Sequence, residues 1–215
     1  MTTSIDPQLI EDNLAVLRQG RALLDALDGA AYSRNAPTLA LSGVGPHLRH
    51  VLDFYERFMS ALEARAAGAL DAAVVPDVDY DARDRDPRLE TDPEHAAGAL
   101  ERMAARLGAV PTHAHGDDPL RIRSDGSGWI PSTVARELQS LVSHTVHHYA
   151  LIAVAVRSHG GDPGSAFGVA PSTLRHWREQ RRASEQPAST GTEPAAMDTE
   201  PAAGPSSASG DVCAR

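Results

Sequence analysis

The chain has no lysine: all twenty of its basic residues are arginine. Schiff-base catalysis at a lysine and a P-loop lysine on a nucleotide phosphate are therefore excluded. A single cysteine, Cys213, leaves no means of building a disulfide framework, a cysteine-type zinc site or an iron–sulfur cluster within one chain. Aromatic residues make up 4% of the sequence against 41% hydrophobic residues in all. The core must then be built from Ala, Leu and Val, a mixture that favours closely packed helices over a β-sandwich. Positive charge is in deficit, with a formal net charge of −9, which argues against general nucleic-acid binding. No apolar run approaches the length of a membrane span, and the opening MTTSIDPQLIEDNLAVL lacks the basic-then-apolar order of a signal peptide. The expectation is a soluble cytoplasmic protein with no membrane partner.

What is present is helical periodicity. Residues 5–28 read as a first helix, with Ser4 as cap, Pro7 in the first turn and Gly29 as stop. A second helix is predicted from Gly45-Pro46 to about Ala67, with His50, Phe54, Phe58 and Leu62 on one stripe. A charged, aperiodic stretch follows, then a third helix over 92–107. Residues 109–130 read as loop, except that the alternation around Arg121-Ile122-Arg123 predicts a brief strand or hairpin. Ser132 is expected to cap a long fourth helix, 132–158, and PSTLRHWREQRR predicts a short terminal helix over 172–182. The domain boundary falls after residue 183. Residues 184–215, an acidic tail rich in Pro, Ala and Ser, hold too few large apolar residues to offset their ordering entropy and read as disordered. The expected fold is all-α: four main helices in a bundle, a short extra C-terminal helix and a tail.

Ten histidines are distributed unevenly. His144 and His148 stand four apart on the apolar helix LVSHTVHHYALIAVAV, so both project from one face a turn apart. His147 is rotated about 100° from His148 and reads as a non-ligand. His47 and His50 open the second helix in GPHLRHVLDFYERF. An HxxxH pair alone arises readily by chance. Here the pair lies inside a helix that must be mostly buried, and another histidine ends the buried stripe of a second helix. Imidazole is the commonest side-chain ligand for a transition metal, and a buried ring has two nitrogens to satisfy.

The pattern SGVGPHLRHVLDFYERF, followed about ninety residues later by SHTVHHYALIAVAVRSHGGDP, resembles the DinB-like (YfiT-type) four-helix bundle superfamily over roughly residues 5–165. Members typically hold a divalent metal with one histidine of the second helix and an HxxxH pair of a later one. Carried onto this chain, the resemblance implies His50, His144 and His148 as metal ligands. His47 and His147 match positions that the family fills without ligating. Many relatives continue the double histidine with Arg-Gly-Gln, where this chain has Tyr149-Ala150-Leu151. Some members are thiol S-transferases using low-molecular-weight thiols, so the resemblance implies a small-molecule thiol, or another small substrate, as partner.

Three neutral imidazoles suit zinc, nickel, iron or manganese and do not choose among them. Three readings stay open: a metal-dependent transferase or hydrolase, a non-catalytic metal-binding bundle acting as a stress-response or interaction module, and a metal-free bundle whose histidines form a polar layer. Asp53 could orient an imidazole through its second nitrogen or be a solvated acid. Arg83 or Arg85, in a charge-alternating run, could reach a substrate carboxylate. Trp129 is expected to cover the open end of the bundle, Trp177 and Arg178 to dock the last helix, Tyr149 to pack, and His113 and His115 to be solvated. Small-residue helix faces leave a homodimer open.

Overall fold

A computed structural model of the chain describes residues 4–35, 42–68, 71, 74–82, 84–110 and 115–185. The tail from residue 186, with Cys213, and also Arg83 and His113 lie outside these residues. The described chain is mostly helical: α1 (Pro7–Ala26), α2 (Gly29–Ser33), α3 (Val44–Ala66), α4 (Arg88–Thr91), α5 (Pro93–Gly108), α6 (Val134–Ser158) and α7 (Pro171–Glu185). The expected all-α class holds in outline. To it is added a three-stranded sheet of β1 (Asp77–Asp79), β2 (Pro119–Arg123) and β3 (Ile130–Thr133).

Local chemistry sets the helix boundaries. Asp6, not Ser4, caps α1 by accepting the Gln8 N–H at 2.9 Å, with Pro7 in the first turn, where its missing N–H costs nothing. The Ser4 backbone instead forms an isolated antiparallel bridge with His115. Gly29 does not stop α1, which ends at Ala26; it opens α2, capped by Asp28. Asp92 caps α5 through the His95 N–H at 3.0 Å. The fourth long helix begins later than Ser132 predicts. Ser132 is taken up in β3, and Thr133 caps α6 by accepting from the Arg136 N–H.

Each of the four long helices packs on two others, in the cyclic order α1–α5–α3–α6. The apolar stripes point inward: Val16, Leu17 and Leu23 from α1, Leu48, Val51, Tyr55 and Phe58 from α3, Ala96, Leu100 and Leu107 from α5, and Leu138, Leu141 and Ile152 from α6. One buried polar knot ties three of them. Asn13 donates to the carbonyls of Leu9 (2.8 Å) and Leu138 (3.0 Å) and accepts from the Tyr55 hydroxyl at 2.7 Å. Every polar atom of that amide group is thereby answered, as burial requires. Among the described residues no helix is long and apolar enough to cross a membrane.

In the sheet, β1 runs parallel to β2 and β2 antiparallel to β3. Asp77 and Asp79 lie opposite Arg121 and Arg123 and pair with them across the strands. Trp129 lies against these two guanidinium groups, whose carbons stand 5.6 and 5.0 Å from its ring centroid. The other face buries Val78, Leu120 and Ile122. α7 docks mainly through Arg175 on Asp12 and the buried Pro171, whereas Trp177 remains 41% exposed.

Candidate metal centre

Helices α3 and α6 pack against each other, and each presents histidines at the seam. His144 and His148 are one turn apart on α6, and His50 reaches them from α3. The geometry is convergent. His50 Nε2 lies 3.1 Å from His144 Nε2, which in turn lies 3.2 Å from His148 Nε2. Ligand nitrogens from these three half-buried residues form a group able to hold a metal ion. Tetrahedral zinc, with Zn–N bonds near 2.0–2.1 Å, separates its nitrogen ligands by about 3.3 Å. The observed spacings come within a few tenths of an ångström of that.

Hydrogen bonding alone serves this arrangement poorly. A neutral imidazole carries one N–H and one lone pair, both in the ring plane and on opposite edges. Two neighbours approach the same Nε2 of His144, and that atom cannot form a linear bond to both. A cation among the three lone pairs satisfies all of them together. The residues therefore fit a metal ion chemically as well as in spacing.

Burial favours the neutral form of His148, the form that ligates. The His148 pKa is pushed down to about 3, first by desolvation and then by the nearby His144, His50, His47 and His147. The His47 pKa is lowered too, by desolvation and by His147. His47 does not join the triad; its Nδ1 meets His148 Nδ1 at 3.0 Å, on the edge of that ring away from His144. His147 is exposed and touches His148 only edge-on, with ring centroids 5.2 Å apart.

An aromatic column backs the triad. The Phe54 ring stacks on His144 at 4.1 Å and on Tyr80 at 4.6 Å. The Tyr80 hydroxyl donates to Glu137 Oε2 at 2.9 Å, and Glu137, 1% exposed, also accepts from Ser132 and from Arg136. The sheet thus has a use: β1 delivers Tyr80 to the column, and β3 delivers Ser132 to the carboxylate beneath it. Sequence reasoning placed Phe54 on the His50 stripe and missed Glu137. Its signal was the spacing of seven residues before His144, which is two helical turns on one face.

Other candidates lie elsewhere. Asp53, buried one turn after His50, borders a cavity of about 200 Å³ between α3 and α5, with Glu56, Arg102 and Arg106. Tyr149 packs as expected, fully buried and stacked on Phe167 at 4.7 Å. Arg85 is exposed, with φ of 52°. His115 is half-buried rather than solvated and borders a cavity of about 800 Å³ at the ends of α3 and α5. No family model, curated protein or solved structure matches the chain.

Proposed function

We propose that the chain binds one divalent transition-metal ion through Nε2 of His50, His144 and His148, as in the DinB-like bundles that its motifs resemble. On this reading it is a metal-dependent enzyme of small-molecule group transfer or hydrolysis, with thiol S-transfer the leading activity. The observation that carries the reading is the convergence of three imidazole nitrogens within 4.8 Å of one another, His144 Nε2 standing 3.1 Å from His50 Nε2 and 3.2 Å from His148 Nε2, on a half-buried seam. When bound, such an ion supplies a Lewis acid that either acidifies a water or holds a thiolate ready for attack.

The protein's own part is to prepare the site. Three neutral ligands leave the ion's charge uncancelled, which favours an anionic ligand such as a thiolate in the remaining position. Phe54 fixes the plane of His144 and shields one side of the seam from water. The Tyr80–Glu137 link anchors that phenyl ring from behind. The three histidines are only partly buried, as a site that must admit a small molecule requires.

Cobalt(II) tests both halves of this reading. Protein purified without a histidine tag should take up cobalt with the visible bands of a low-coordinate site. Adding a small thiol should then produce a sulfur-to-cobalt charge-transfer band. Cobalt uptake with no response to thiols or other anions would leave a non-catalytic metal-binding bundle, and failure to take up cobalt would overturn the reading.

A further inference from the structure

We propose that His47 is a positioning residue for the metal centre: its Nδ1 accepts the Nδ1–H of His148 and so holds that ring with the Nε2 lone pair toward the ion. This inference rests on the metal reading above. The contact is direct, Nδ1 to Nδ1 at 3.0 Å, with ring centroids 5.2 Å apart and planes inclined at 45°.

The geometry separates this role from ligation. His148 turns one nitrogen to His144 and the other to His47. His47 therefore meets the outer edge of the ring, on the far side from the point where the three Nε2 atoms converge. It cannot reach an ion there while His148 stands between.

The proton count gives the contact its consequence. Neutral His148 has one N–H, so only two arrangements satisfy the bond. With the proton on His148 Nδ1, its Nε2 is a lone pair and ligates. With the proton on His47 Nδ1, His148 must carry its own on Nε2, aimed at the other ligands, and cannot ligate. Acceptance by His47 thus selects the ligating tautomer and raises the basicity of Nε2. With Nδ1 accepting, neutral His47 carries its own proton on Nε2, which is buried and meets no hydrogen-bond partner among the described residues, so no second contact competes with His148 for the ring. Among the described residues the side-chain hydrogen bond of His47 is the one to His148. The three-residue spacing of His47 and His50 lets a single face of α3 both ligate and orient, engaging the two ends of the α6 pair.

The test compares zinc affinity, measured by competition with a chromophoric chelator, for wild type, His47→Phe and His47→Asn, with melting temperatures of the metal-free proteins alongside. Phenylalanine keeps the ring and removes the acceptor; asparagine places an amide acceptor close to the position of Nδ1. Wild type should bind one zinc. His47→Phe should bind it roughly 10–100-fold more weakly, and His47→Asn should recover most of that loss. The affinities should not follow the metal-free melting temperatures. Wild-type affinity in His47→Phe, or an equal loss in both variants, would overturn the positioning role and leave the metal centre standing. No zinc on wild type would overturn the metal reading itself.

Discussion

Replacing Gly45 with alanine should destabilise the protein, although the same change at Gly98 in α5 should stabilise it. Gly45 lies in the first turn of α3, two residues before His47, with the backbone of α4 laid against it. A Cβ there would fall 2.1 Å from the Glu90 carbonyl oxygen and 2.6 Å from its carbon. Ordinary contact begins near 3.4 Å, so α4 or the start of α3 would have to retreat by more than 1 Å. The obstacle is backbone and cannot rotate aside. It is also tethered: the Leu89 carbonyl accepts the buried Tyr32 hydroxyl, and Glu90 pairs with Arg49 at 2.9 Å. Overpacking of this kind costs about 1–3 kcal/mol, against at most about 1 kcal/mol gained in helix propensity. At about 2–4 °C per kcal/mol for a chain of this size, Gly45→Ala should melt several degrees below wild type. Gly98, inside α5, is the control. Its Cβ would meet only the flexible end of Arg102, at 3.0 Å, so Gly98→Ala should gain up to about 1 kcal/mol. Melting curves of the metal-free proteins by circular dichroism decide the matter. A Gly45→Ala protein as stable as Gly98→Ala would refute the close approach of α4 to α3.

Tyr55→Phe removes the donor to Asn13 and leaves a buried amide oxygen unanswered; chemical denaturation should show a loss of about 1–3 kcal/mol. If stability is instead unchanged, the three-helix knot carries no energy. The metal-free protein should also lose stability on mild acidification. His148 titrates near 3 when folded against 6.5 when unfolded, so below pH 6.5 the unfolded chain takes up a proton that the folded one refuses. The contribution of His148 is whole above that pH and is lost progressively as the pH falls toward its folded value. Melting temperatures taken from neutral pH to about pH 5 should fall, with a shallower slope for His148→Gln. An equal slope in the two proteins would show that the imidazole is not held neutral by its surroundings.

The parts of the fold legible in the sequence are those governed by a long period. The stripes of α1, α3, α5 and α6 each repeat over four or more turns, and the HxxxH spacing places His144 and His148 side by side before any tertiary structure is considered. His50 joins them because it ends a stripe that must face the core. Of the sheet, the alternation around Arg121-Ile122-Arg123 announces β2, which pairs with β3, but not β1. β1 is three residues long, in a run whose alternating charges look solvated; it pairs with β2, buries Val78 and sets Asp77 and Asp79 opposite Arg121 and Arg123. That pairing spans more than forty residues, and no local pattern announces it. The same nonlocality hid Glu137, whose partner Tyr80, just past the end of β1, lies fifty-seven residues away in sequence. Ser132 and Thr133 were equally able to cap α6. Pairing of Leu120 with Ser132 drew Ser132 into β3 and left the cap to Thr133.

The central claim is that three imidazoles share one ion. Metal content of tag-free protein, for wild type beside His50→Ala, His144→Ala and His148→Ala, tests it most directly. The account predicts close to one divalent ion per wild-type chain, on purification or after reconstitution and desalting, with little or none retained by any of the three variants. A wild type that retains no zinc, nickel, iron(II) or manganese after reconstitution would contradict it, as would variants that hold the ion as tightly as wild type.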